Sequence, residues 1–140
     1  MSTDPALVIS SSMIRRHLAN LTVAWFNDRE LPPADVADYA PMVAWVRNSA
    51  ERAGDTPWFV LGLQHILHNP ALSPAEFGND RFSYTDTQMR EIIGYVLQQM
   101  GAKDAPPALL ARVNLADIDR EQWQALRGTQ SLKQSLKPSL

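Results

Sequence analysis

The segment Pro57–His68 constrains this chain more than any other. Phe59, Val60, Leu63, Ile66 and Leu67 fall on one side of a helix there, and Trp58 and Leu61 fall on the other. A helix that is apolar nearly all round leaves no face for water, so other elements must enclose it. Thr56 is suited to cap its start, Pro57 to fill its first turn, and Asn69-Pro70 to end it. With 140 residues, the chain has enough length for one domain and one core.

The enclosing segments read as helices too. Ile14, Leu18, Leu21 and Trp25 recur at helical spacing, which predicts a helix from Ser11 or Ser12 to about Asn27. Val36, Tyr39, Val43, Val46 and Ala50 form a second stripe that keeps its phase through Pro41. It is either one helix kinked there or two short helices stacked end to end, with Gly54 as the C-terminal cap. Ser73-Pro74-Ala75-Glu76 predicts a capping box and a short turn ending at Gly78. Thr85, with Gln88 three positions on, should cap a helix whose stripe is Met89, Ile92, Ile93, Val96 and Met100. A shorter helix is expected from Asp104 and Pro106-Pro107 to Val113, and a last one from Asp117 or Asp119 to Gly128. Gly62 and Gly94 sit mid-helix, where glycine is unfavourable, and suggest that their two helices cross at these points.

The expected fold is therefore all-α: a compact orthogonal or antiparallel bundle of five to six helices around a central apolar helix at about 57–68. Residues 1–128 form one domain and residues 129–140 a flexible tail. Thirteen basic and fifteen acidic side chains give a net charge of −2, which excludes a generally cationic nucleic-acid binder. There is no cysteine, so disulfides, thiolate catalysis and cysteine-ligated zinc are excluded. The longest strongly apolar stretch, Trp58–Leu63, falls far short of the roughly 20 residues of a membrane span. The N-terminus lacks the basic region of a signal peptide. A cytoplasmic protein that engages neither membrane nor nucleic acid is the expectation.

Reactive groups are sparse. His65 and His68 share a helix face at a spacing of three, but their helix carries no acid or third histidine. No metal ligand set, cofactor motif or catalytic constellation is expected. Asp117 and Asp119, like Asp35 and Asp38, read as acids at helix starts. Ser10-Ser11-Ser12 reads as capping, and Arg15-Arg16-His17 as a solvated basic face open to an acidic partner. The connection from Asn69 to Tyr84 is long. It carries Phe77, Asp80, Arg81, Phe82 and Tyr84, a composition suited either to binding or to pinning the loop onto the core. Trp45 falls about a quarter turn off its helix stripe, as a residue bordering a groove would.

These observations point to a non-enzymatic helical protein–protein interaction protein of adaptor, inhibitor, toxin-neutralising or assembly-chaperone type. Its partner is another protein or a second copy, contacted through Trp45, Phe77, Asp80, Arg81, Phe82 and Tyr84. Two alternatives stand beside it: a small enzyme using histidine and carboxylates, with His65 as general base or metal ligand, and a structural homo-oligomer of a phage or secretion assembly.

Overall fold

A computed structural model describes residues 6–78 and 82–130. Strand β1 (Leu7–Ser10) leads into α1 (Ser11–Thr22) and a 3₁₀ turn at Ala24–Asn27. A second 3₁₀ turn (Val36–Tyr39) runs into α2 (Ala40–Ala53), and α3 (Thr56–His68) follows. A third 3₁₀ turn (Pro74–Phe77) precedes α4 (Asp86–Gln99), α5 (Pro107–Leu110), strand β2 (Val113–Ala116) and α6 (Arg120–Thr129).

The fold is a helical bundle with α3 at its centre, touching α1, α2, α4, α5 and both strands. Phe59, Leu63 and Ile66 are fully buried on one face, and Trp58 and Leu61 are buried on the other. Each such side chain contributes about 1.5–3 kcal/mol by leaving water. Trp58 packs edge-on against Trp123 of α6, with ring centres 5.9 Å apart.

Local chemistry explains most of the boundaries. Ser10 caps α1 by accepting from Met13 N–H at 3.1 Å. At Pro41 the chain resolves into a 3₁₀ turn followed by a helix, with the proline in the first turn of α2, where its missing N–H costs no hydrogen bond. Gly54 adopts the left-handed conformation (φ 74°) and its N–H closes α2 on Ala50 and Glu51 carbonyls. Thr85–Gln88 and Asp119–Gln122 form reciprocal capping boxes at α4 and α6.

Several expectations need correction. The first helix ends at Thr22, and the chain continues to Asn27 in the tighter 3₁₀ form. Thr56 does not cap α3; it is the first helical residue, and its buried hydroxyl has no hydrogen-bond partner among the described residues. Ser73 does not cap its turn either, because its hydroxyl donates to the Asp86 carboxylate instead. Of the helix expected up to Val113, only Pro107–Leu110 is helical. Val113 itself begins a strand that pairs in parallel with β1, in the register Leu7–Val113 and Ile9–Leu115. Gly62 does make a close approach, but to α1 and β1. A Cβ there would lie 2.6 Å from Ile14 Cδ1 and 3.5 Å from Ile9 Cγ2. Gly94 faces open space, so the predicted crossing at two glycines does not exist.

The outer edge of β1 is covered by Gln130, whose side chain accepts from Val8 N–H at 2.7 Å and donates to Val8 C=O at 2.9 Å. This residue lies within the segment expected to be a tail; residues 131–140 lie outside the described region.

Candidate functional site

The strongest concentration of polar chemistry lies where α1, α2 and α6 meet the start of α3. Its hub is Asp55, in the junction between α2 and α3, which is 1% exposed. Its backbone N–H donates to Ala50 C=O, which fixes the junction. The carboxylate takes hydrogen bonds on both oxygens. His17 lies 2.7 Å from Oδ2 through Nε2. Trp123 Nε1–H donates to Oδ1 at 2.9 Å, and Arg127 donates to Oδ1 at 2.5 Å. Arg16 stands 3.7 Å from Oδ2.

Burial by itself would raise the Asp55 pKa. The hydrogen bonds from His17, Trp123 and Arg127 outweigh that cost and hold the carboxyl below its ordinary range. An ionised Asp55 can only accept, so the Nε2–H of His17 donates to it. The Ser49 hydroxyl lies 2.7 Å from Nδ1, which accepts from it when the imidazole is neutral. The chain therefore sets up an ordered relay: Ser49 to His17 to Asp55.

By sequence alone, His17 belongs with Arg15 and Arg16 to a solvated basic face. The structure corrects this, because His17 is 1% exposed. The relevant signal was present: Ile14, His17, Leu18 and Leu21 are one helical face, at spacings of three, one and three. Ser49 likewise follows Val46 by one turn on the buried side of α2. Asp55 carries no motif, and only the folded junction reveals its role. Arg15 lies over the Phe77 ring at 5.9 Å and 3.6 Å from Asp117.

Beside this relay opens a recess of about 450 Å³, lined by Arg16, His17, Asn20, Trp45, Asn48, Ser49, Arg52, Ala53 and Arg120. Trp45 is 51% exposed at its rim. Among the described residues, no carboxylate pairs with Arg52 or Arg120. The nearest acid on the same helix, Glu51, is occupied by Arg47 at 3.6 Å. A protein of net charge −2 thus concentrates three arginines and an exposed indole in one concavity.

The other expected contact residues are not gathered here. Phe77 and Tyr84 are buried in the core, and Phe82 stacks on Phe26 at 5.5 Å, so these aromatics pin the long loop. The hydroxyls of Tyr84 and Tyr39 meet at 3.4 Å in the interior, and burial pushes both phenols up. Asp80 and Arg81 lie outside the described residues. His65 faces Leu110, whose carbonyl lies 3.1 Å from its Nδ1; burial lowers its pKa against the opposing pull of that carbonyl. It shares an open recess with His68 and Asp104, yet the described residues hold no group of three or more ligands able to bind a metal.

Comparison with family models, curated proteins and solved structures gives no match for this chain. What the chain establishes directly is a small helical domain without cysteine and, among its described residues, without a metal-binding cluster. None of its described helices is long and apolar enough to cross a membrane.

Proposed function

We propose that this domain binds another protein, and that its docking surface is the recess between α1, α2 and α6. The carrying observation is the convergence of Arg16, Arg52 and Arg120 beneath the half-exposed Trp45. Arginine and tryptophan are the side chains that most often dominate binding energy at interfaces. The guanidinium groups of Arg52 and Arg120, with no carboxylate paired to them among the described residues, call for carboxylates, which they grip in planar bidentate fashion. The partner is therefore an acidic segment, and an aromatic or aliphatic side chain in that segment would cover the indole. Asn20 and Asn48 add neutral hydrogen-bonding capacity to the same wall.

The test is a titration of the protein with a fluorescent Asp/Glu-rich peptide carrying one aromatic residue, with a Lys-rich peptide as control. Binding should favour the acidic peptide and weaken at high salt, because charge steering and rim contacts are screened. The double variant Arg52→Glu/Arg120→Glu changes two exposed side chains and should abolish it. Equal affinity for both peptides, or retention of binding in that variant, would defeat this reading.

A further inference from the structure

The Ser49–His17–Asp55 relay opens onto the arginine recess, and this arrangement goes beyond docking. We propose that Ser49 is a nucleophile activated by His17, and that the recess hydrolyses a carboxylic ester bearing a negative charge near the scissile bond.

Three observations carry this. First, the hydrogen bonds run in sequence: Ser49 Oγ to His17 Nδ1 at 2.7 Å, and His17 Nε2 to Asp55 Oδ2 at 2.7 Å. A hydroxyl next to a base that is itself oriented by a carboxylate is the arrangement nucleophilic catalysis requires, whichever ring nitrogen serves each side. Second, the imidazole is locked. It is buried, its ring packs edge-on against Phe59 at 5.6 Å, and Asp55 is fixed by Trp123 and Arg127 from the far side. Third, Ser49 and His17 both belong to the lining of the recess, so a ligand there lies against the residue that carries the hydroxyl. A volume of about 450 Å³ lies within the range of small-molecule sites.

The reaction balances with water alone. Ser49 Oγ attacks the ester carbonyl carbon, and its proton passes to His17 Nδ1. The carbonyl oxygen becomes an oxyanion. The middle of α2 has no free backbone N–H to offer it, so the guanidinium groups lining the recess, Arg16 and Arg52, supply the stabilising charge. The oxyanion collapses, the bond to the leaving alcohol breaks, and the alcohol oxygen takes the proton from Nδ1. Water then attacks the Ser49 ester, giving its proton to His17, and the carboxylic acid departs as Ser49 recovers its hydrogen. Arg120, at the other wall, pairs with the substrate's remote anionic group. Asp55 is a positioning residue: it selects the tautomer and never contacts the substrate.

The decisive experiment is covalent labelling. A fluorophosphonate probe should phosphonylate Ser49, located by peptide mass spectrometry, with fluoride as leaving group and its proton delivered through His17. Ser49→Ala should remove the label while circular dichroism shows an unchanged helical fold. A second measurement avoids dependence on the probe. Ser49→Cys introduces the chain's lone thiol beside His17. It should react with iodoacetamide faster than Asn48→Cys, the more exposed neighbour, by about 10²-fold if base assistance is of ordinary size. Absence of label at Ser49, or a Ser49→Cys thiol no faster than the Asn48→Cys thiol, overturns the proposal. Acidic-peptide titration of the unlabelled wild-type protein reads the docking proposal by itself, so either reading can fail without the other.

Discussion

Replacing Asp55 by alanine tests the central physical argument most directly. The carboxylate accepts from Trp123 and Arg127 on one oxygen and from His17 on the other. Trp123 is fully buried and His17 is 1% exposed, so neither donor finds water when the acceptor is removed. Each orphaned buried donor costs about 1–3 kcal/mol. Arg127 suffers less, because it still donates to the Ala53 carbonyl at 2.6 Å and is partly exposed. The loss should therefore fall near the about 3–5 kcal/mol typical of a broken buried pair. That is a large share of the about 5–15 kcal/mol that holds a domain together. Asp55→Asn should cost distinctly less. Its amide oxygen can face Trp123 and Arg127, and its NH₂ can donate to His17 once the imidazole switches tautomer. Urea unfolding at neutral pH, extrapolated linearly to water, measures both. An alanine variant within about 1 kcal/mol of wild type would refute the claim that Asp55 is a satisfied hub rather than a tolerated buried acid. So would an asparagine variant as unstable as the alanine one.

The acid limb of wild-type stability offers a related check. The folded pKa of Asp55 lies below its unfolded value, so its contribution is complete above the ordinary carboxylate range and is lost as pH falls toward the folded pKa; Asp55→Asn should flatten that part of the profile in pH-dependent urea melts. Gly94→Ala should stabilise the protein by about 0.5–1 kcal/mol, because a methyl there meets open space within a helix. Gly62→Val should instead lower stability by about 1–3 kcal/mol, since its side chain would collide with Ile14, and Ile14→Ala should recover part of that loss in a double-mutant cycle. Trp45→Ala should leave thermal stability within about 0.5 kcal/mol of wild type while weakening acidic-peptide binding. Gln130→Ala should speed hydrogen exchange at the Val8 amide, because the edge of β1 loses both hydrogen bonds from that side chain.

The helices were legible where local chemistry decides them. Pro57 with Asn69-Pro70 and the Thr85–Gln88 pair mark ends by interactions within a few residues, and α3 and α4 lie where periodicity placed them. The strands were not. Leu7–Ser10 and Val113–Ala116 are too short to show alternation, and each exists because the other end of the chain lies beside it. The candidate site was hidden for the same reason. Ser49, His17 and Asp55 come from three elements, and no spacing links them. His17 was misread because its neighbours Arg15 and Arg16 are charged, although its position relative to Ile14 and Leu21 points inward. The aromatic loop shows the converse: Phe77 and Tyr84 have a binding composition, but a long connection needs anchors, and the core took them.

The parallel strand pair has a consequence for how the chain reaches its final form on the ribosome. A nascent chain that has emerged only through α4 has α1 to α4 but no partner for Leu7–Ser10, no indole to meet Trp58, and no guanidinium or indole donor from α6 for Asp55. Closure must wait for Val113–Ala116 and α6, more than a hundred residues after β1, and contacts of such long sequence separation are the slow ones to form. Until Trp123 arrives, the interval leaves a buried-to-be carboxylate and an apolar flank exposed together, which makes α6 the latch that closes this bundle during synthesis.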